Sequence, residues 1–231
     1  MTVLDEIESL VDNGTFTVRE KRNGDKPVGA HWVLRVKRNA DGTIERYKGR
    51  VVAKGYSQRP GFDNTETFAL TARWAALRAI FALAALEDME VESVDISSAF
   101  LNGDLQETIT MEVFEGLREL KPEIFPKEGP KRDSDWVLEL NKALYGLKQS
   151  PRMWHQKLHS AMTEMEFERV QCNNSIWVYL NSDIRVYVPV YVDDITIVSK
   201  NTSKIAWVKS ELKKRFKLRE LGPTNSYLEF M

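Results

Sequence analysis

The chain has 231 residues, 42% apolar and 29% charged, which is the make-up of a folded domain with a sizeable core and excludes intrinsic disorder. Lys and Arg total 33 against 34 Asp and Glu, so the formal net charge is -1, a value that taken whole argues against nucleic-acid binding by bulk charge. No apolar run is long enough to span a membrane, the acidic start Met1-Thr2-Val3-Leu4-Asp5-Glu6 is unlike a signal peptide, and the lone Cys172 excludes an intrachain disulfide or a cysteine zinc site, as expected of a reducing intracellular compartment.

In chain order, Leu4, Ile7, Leu10 and Val11 recur at helical spacing and predict a short opening helix. His31 to Lys37 alternates, with Trp32, Leu34 and Val36 on one face; Asn39-Ala40-Asp41-Gly42 signals a turn, and Ile44 to Lys54 resumes a strand. Leu70, Trp74, Leu77, Phe81 and Ala84 predict a buried helix over 71–87, followed by a strand from Met89 to Ile96. Lys121 to Asp135, rich in Pro and charge, reads as a surface loop, and Trp136 to Leu140 as a short strand. Ser150-Pro151 starts a helix reaching about Met165, with Pro151 at its first position. Ile184 to Val192 and Ile195 to Val198 are apolar strands, and Ile205, Val208, Leu212 and Phe216 mark a last helix with a basic outer face. The order predicts a mixed α+β fold with an antiparallel sheet. Pro189, lacking an N–H, predicts that its strand lies at an edge or carries a bulge.

The charge is unevenly distributed. From Arg19 to Arg59 twelve bases face four acids; from Gly61 to Leu120 twelve acids face three bases; from Lys200 to Glu220 eight bases face two acids. A basic start, an acidic middle and a basic end are a partner signal that the total conceals. On the strand from Ile44, period-two geometry sets Arg46, Lys48 and Arg50 side by side, with Arg35 and Lys37 on the preceding strand. A solvated hairpin face and a phosphate-binding face both fit that row.

Tyr191-Val192-Asp193-Asp194 is the most informative tetrapeptide. Two adjacent carboxylates stand at the tip between strongly apolar strands, with no Gly to relieve the backbone, and they repel each other unless a cation offsets them. An ordinary acidic turn is the plain alternative. Asp95, at the end of its own strand, is either a third acid aimed at the same place or a cap for the turn at Ser97-Ser98-Ala99-Phe100. Three carboxylates without a suitable Cys or His suit a hard cation such as Mg²⁺, and paired metals of that kind serve phosphoryl or nucleotidyl transfer. His155 and His159 are four apart on the predicted helix, but Gln156 follows where a metalloprotease motif needs Glu, so they read as helix-surface histidines.

In order and spacing, a longer series resembles the reverse transcriptase domain of Ty1/copia-type LTR retrotransposons. The series comprises Trp32-Val33 with Lys37, Arg46-Tyr47-Lys48-Gly49-Arg50-Val51-Val52-Ala53-Lys54-Gly55-Tyr56, Glu66-Thr67-Phe68, Asp95-Ile96, and Ala99-Phe100-Leu101-Asn102-Gly103. Lys142-Ala143-Leu144-Tyr145-Gly146-Leu147-Lys148-Gln149-Ser150-Pro151-Arg152, Tyr191-Val192-Asp193-Asp194, Phe216 and Leu221-Gly222 complete it. The resemblance implies polymerase fingers plus a ferredoxin-like palm, with the thumb largely missing. All of 1–231 is then one reverse transcriptase domain, about 14–90 mainly fingers and 89–231 mainly palm, with some fingers elements interleaved.

By the same resemblance, Asp95, Asp193 and Asp194 are catalytic and, with the Ile96 carbonyl, bind two Mg²⁺ ions, for which Mn²⁺ substitutes. Lys48 and Arg50 hold the incoming triphosphate, Phe100 closes the sugar pocket, Tyr145 and Gly146 lie against the nucleotide, and Lys54, Tyr191, Leu221 and Gly222 contact nucleic acid. The implied partners are an RNA or DNA template with its primer, dNTPs and other parts of a Gag-Pol polyprotein, with no membrane. The implied setting is a cytoplasmic particle or the nucleus, in a transposable element whose cycle ends in DNA integration. Two departures stand out: Ile109-Thr110-Met111-Glu112-Val113-Phe114-Glu115-Gly116-Leu117 lacks an aromatic and a proline of the family pattern, and Tyr227-Leu228-Glu229-Phe230 replaces an expected Leu-Gly. The alternative to an RNA-directed DNA polymerase is a truncated, catalytically silent remnant with weak nucleic-acid binding.

Overall fold

The first helix is set by its own N-terminal chemistry. The Asp5 N–H donates to the Thr2 hydroxyl at 3.3 Å while the Asp5 carboxylate accepts the Thr2 N–H at 2.6 Å, a capping box that satisfies two donors the helix leaves open. The computed structural model describes residues 2–39, 41–59, 61, 63, 74–171 and 173–224. Behind α1 (Val3–Asp12) run β1 (Phe16–Glu20), β2 (Ala30–Arg38), β3 (Ile44–Ala53), α2 (Trp74–Glu87), β4 (Glu90–Ile96), β5 (Asp104–Glu112), α3 (Leu117–Leu120) and β6 (Trp136–Lys142). Then come α4 (Ser150–Glu164), β7 (Glu168–Val170), β8 (Asn173–Asn181), β9 (Ile184–Tyr191), β10 (Asp194–Ser199), α5 (Thr202–Arg215) and β11 (Leu218–Pro223). It is a mixed helix and sheet fold whose strand ladders are antiparallel. Among the described residues no helix is long and apolar enough to cross a membrane.

The chain forms two compact units, Met1–Phe68 with Phe100–Trp154 and Ala69–Ala99 with His155–Met231. The first contains a three-stranded sheet in the order β1-β6-β5 and the separate hairpin β2-β3. Its core gathers Ile7 and Leu10 of α1, Val51 of β3, Ile109 and Met111 of β5, and Trp136, Leu138 and Leu140 of β6. Each large apolar side chain buried there contributes about 1.5–3 kcal/mol. Within the predicted loop from Lys121 to Asp135 lie two single 3₁₀ turns, Pro122–Ile124 and Asp133–Asp135, and Phe125 is buried with its ring 5.8 Å from that of Trp136.

The second unit is built on one six-stranded sheet in the order β11-β4-β10-β9-β8-β7. Ile80 and Ala84 of α2 pack with Val91, Ile176, Tyr187 and Val198 of the sheet. On α5, Ile205, Val208 and Leu212 are fully buried and the helix packs on β10 and β4.

Four expectations change. Trp74 is 44% exposed, and the buried stripe of α2 is Leu77, Ile80 and Ala84, with Phe81 half-buried. That helix is apolar nearly all round, so its period could not say which face turns inward; Leu70 lies outside the described residues. Pro189 is in an interior strand, opposite Ile176 of β8, and its missing N–H is accommodated by a lapse in the β9–β10 pairing between Val190 and Tyr187. Asp194 is the first residue of β10 rather than part of the tip. The strands β1, β5, β7, β8 and β11 add to the elements that periodicity picked out.

Candidate active site

In the second unit, Tyr191 pairs with Asp194, so β9 and β10 are joined by the two residues Val192 and Asp193. Two-residue hairpins need positive φ at the first central place, which Gly supplies freely. Here Val192 takes φ 58, and Asp193 is not among the positive-φ residues, the type II′ arrangement. A β-branched side chain in that region costs about 1–2 kcal/mol, held by the strands on either side.

The register then decides which groups meet. Asp194 stands directly opposite Asp95 of β4, and the Ile96 N–H donates to the Asp193 carbonyl at 2.9 Å, locking the turn to the end of β4. Opposed residues share a face with Cβ atoms about 5 Å apart, so two half-buried carboxylates lie side by side and Asp193 is next in the chain. The same row continues to Arg219 of β11, opposite Asp95 on the other side. One step along, Ser93 and Thr196 are opposed and buried, their hydroxyl oxygens 3.5 Å apart, and the Ser93 hydroxyl is 2.7 Å from that of Thr224. A polar row therefore leads from the carboxylates toward the apolar part of that face at Val91 and Val198.

The donor set is chemically that of a hard divalent cation: carboxylates and backbone carbonyls, with no thiolate or imidazole. As the side chains stand, no group of three His, Cys, Asp or Glu among the described residues is close enough to hold a metal ion. Two facing carboxylates nevertheless repel, and a cation between them relieves that repulsion.

The first unit collects the residues expected to meet a nucleotide. Arg50 of β3 lies with its Cζ 4.4 Å from the centre of the Tyr145 ring, and its Nη2 donates to the Tyr145 hydroxyl at 3.4 Å. The Phe100 ring meets Tyr145 edge-on at 4.7 Å. Beside them the Ala53 N–H donates to the Tyr145 carbonyl at 2.8 Å, and a Cβ on Gly146 would sit 2.0 Å from the Ala53 carbonyl oxygen, so only glycine permits this approach. The hairpin register confirms the cation face: Arg35 is opposite Lys48 and Lys37 opposite Arg46, with Arg50 next along. Buried Glu6 accepts the Val51 N–H at 3.3 Å; burial raises its carboxyl pKa, while that N–H, Arg50 and Lys48 act to lower it. The aliphatic stem of Lys54 lies over Gly29 beside the Glu112 carboxylate.

Other expected residues are placed as follows. Tyr191 closes the strand before the turn, Leu221 is 47% exposed at a bulge in β11, and Gly222 pairs with Ser93. The basic face of α5 is largely compensated: Lys209 bonds Glu92 at 2.7 Å and Glu220 at 3.0 Å, Lys213 bonds Glu220 at 3.1 Å, and Lys214 and Arg215 bond Glu211. His155 is half-buried rather than on the helix surface.

Sequence reasoning missed Arg219, whose position beside Asp95 follows only from strand register. It gave no role to the buried amides Gln58 and Gln149, hydrogen-bonded to each other at 3.0 Å and both to the Asp63 carbonyl, at 3.2 and 2.8 Å, although Gln149 lies within the family series.

The chain is similar to known proteins over most of its length. A family model described as reverse transcriptase (RNA-dependent DNA polymerase) matches residues 13–230. The Retrovirus-related Pol polyprotein from transposon TNT 1-94 of Nicotiana tabacum is 38% identical over 97% of the chain, and that from transposon RE2 of Arabidopsis thaliana 34% identical over 84%. The Transposon Ty1-NL2 Gag-Pol polyprotein of Saccharomyces cerevisiae is 27% identical over 84%. The chain spans 16% of the tobacco protein, 12% of the Arabidopsis protein and 10% of the yeast protein.

Proposed function

The chain belongs to the reverse transcriptase family, with relatives that are Pol polyproteins of copia-type transposons, and from that premise we propose that it is an RNA-directed DNA polymerase domain acting by template-directed nucleotidyl transfer. The observation that carries the proposal is the pairing of Asp194 with Asp95, with the Asp193 carbonyl tied to the Ile96 N–H. Asp95, Asp193 and Asp194, with the Ile96 carbonyl, are the groups to hold two Mg²⁺ ions. Bound there, such ions lower the pKa of a primer hydroxyl and offset charge on departing pyrophosphate.

The chain's own residues supply position. Lys48 and Arg50 bind the triphosphate of an incoming dNTP, and Tyr145 holds the Arg50 guanidinium over its ring so that less side-chain freedom is lost on binding. Phe100, braced by Tyr145, sets the width available to the sugar. Template and primer are the nucleic-acid partners, and the remaining Pol segments of the relatives point to work within a longer polyprotein.

Primer extension on an RNA template with Mg²⁺ and dNTPs, run beside D193N, tests the proposal. The wild type should extend and the variant should lose at least about a hundredfold in rate, the scale of removing a charged group from a transition state. Equal, negligible extension by both would overturn the assignment of activity to this chain.

A further inference from the structure

A second set of polar groups in the same unit belongs to no part of the proposed chemistry. Arg169 of β7 is opposite Trp177 of β8, with its Cζ 4.8 Å from the indole centre. Its Nε is buried without a hydrogen-bond partner, and among the described residues no carboxylate pairs with it. Asn173, Ser175 and Trp177 alternate along β8 and so share one face. Asn173 and Ser175 are 7% and 2% exposed, yet Asn173 Nδ2 and Ser175 Oγ are also unpartnered; the Asn173 carbonyl is engaged, accepting the Ser175 N–H at 3.1 Å.

From α4, His159 lies with its ring 5.3 Å from that of Trp177, and the Nε2 of half-buried His155 is a fourth buried polar atom without a partner. The charges that reach these imidazoles are all positive. The pKa of His155 is pushed down by burial first, then by Arg169 and His159, against a smaller upward pull from a hydrogen bond with the Asn174 backbone, and that of His159 is pushed down by burial and Arg169. Arg169 is itself lowered by burial alone, with no acid acting on it. The acids nearest in sequence, Glu166 and Glu168, are exposed, and Glu168 points to the opposite face of β7.

Natural proteins rarely bury polar atoms without partners, and here the Nε of half-buried Arg169 joins Asn173 Nδ2, Ser175 Oγ and His155 Nε2 in that condition. We propose that Arg169, His155, Asn173 and Ser175 form a binding site for a phosphate-type oxyanion. The fork of the guanidinium presents two N–H groups to such an ion, the Asn173 amide and Ser175 hydroxyl serve as floor, and His155 with exposed His159 forms the open rim. A phosphate is favoured over a metal because the dominant charge in the cluster is a guanidinium, which is never a metal ligand. The source is either free phosphate or a phosphodiester of nucleic acid. None of Asp95, Asp193 or Asp194 takes part, so the site stands or falls apart from polymerase activity.

The test uses the whole chain and inorganic phosphate, with sodium chloride at matched ionic strength as reference. Phosphate should raise the melting midpoint more than chloride does and shift the His155 ring resonances. Both effects should vanish in R169Q and in N173D, the latter a near-isosteric change that brings its own carboxylate. N173D should also melt above the wild type in phosphate-free buffer, so a poorly folding R169Q leaves the test intact. A short oligodeoxynucleotide that displaces phosphate identifies a phosphodiester as the source; one that does not identifies the free ion. Equal effects of phosphate and chloride, or a phosphate effect kept in N173D, would overturn the site.

Discussion

Arg50 shows how a single side chain is prepared for work. Its guanidinium rests on Tyr145, 95 positions later in the chain, and its neighbours Arg46 and Lys48 share the strand face. The spacing of those cations was legible from period two alone. The Tyr145 contact was not, because a residue 95 positions away carries no local pattern. If Arg50 binds the triphosphate, R50A should raise the KM for dNTP about tenfold, the equivalent of about 1.4 kcal/mol, while changing kcat much less. Steady-state primer extension with varied dNTP measures this; an unaltered KM would reduce the row of cations to a solvated face.

At the scale of elements, the β9–β10 hairpin is the informative case. Its strands were legible as apolar runs, and the absence of Gly between them was already a sign of strain. Which residue bears that strain was not legible, since a shift of one position moves every side chain to the other face. The structure assigns it to Val192, at φ 58. V192G should therefore stabilise the fold by about 1 kcal/mol, the strain relieved less the extra freedom of Gly in the unfolded chain. Denaturant unfolding measures it, and a variant no more stable than wild type would mean that the turn is not strained. The interior position of Pro189 has the same lesson: the proline rule is sound, but the strand order that made it an exception depends on partners far along the chain.

Over the whole molecule, the net charge of -1 conceals two basic regions with different fates. The hairpin sets Arg35, Lys37, Arg46 and Lys48 in opposed like-charged pairs on one face, with Glu45 3.6 Å from Arg46, and on α5 Lys209 and Lys213 are bonded to Glu92 and Glu220 at 2.7–3.1 Å. Cations already matched to carboxylates release few counterions when nucleic acid binds. Replacing the four hairpin cations with Gln should weaken primer–template binding and flatten its salt dependence, by about 0.7–0.9 in log–log slope per lost phosphate contact. K209Q with K213Q should leave the slope nearly unchanged. Fluorescence anisotropy across a salt series distinguishes them, and equal slopes for both variants would remove the hairpin from nucleic-acid binding.

The sequence by itself determined the family, the opening and closing helices and the apolar strands around Asp193, and it offered three carboxylates as candidates, because periods of two and 3.6 and short motifs are local properties of the chain. Charge asymmetry was equally plain once counted by segment. Only the tertiary structure decided that Asp194 rather than Asp193 faces Asp95, that Arg219 completes their row, and that Gly146 must be glycine to pass the Ala53 carbonyl. It alone set Arg169 and His159 against Trp177 and left polar atoms of Arg169, Asn173, Ser175 and His155 buried without partners. Register and long-range packing are chosen by the joint burial of all strands and helices at once. The sequence within any one segment is compatible with several such choices, and only the assembled core selects among them.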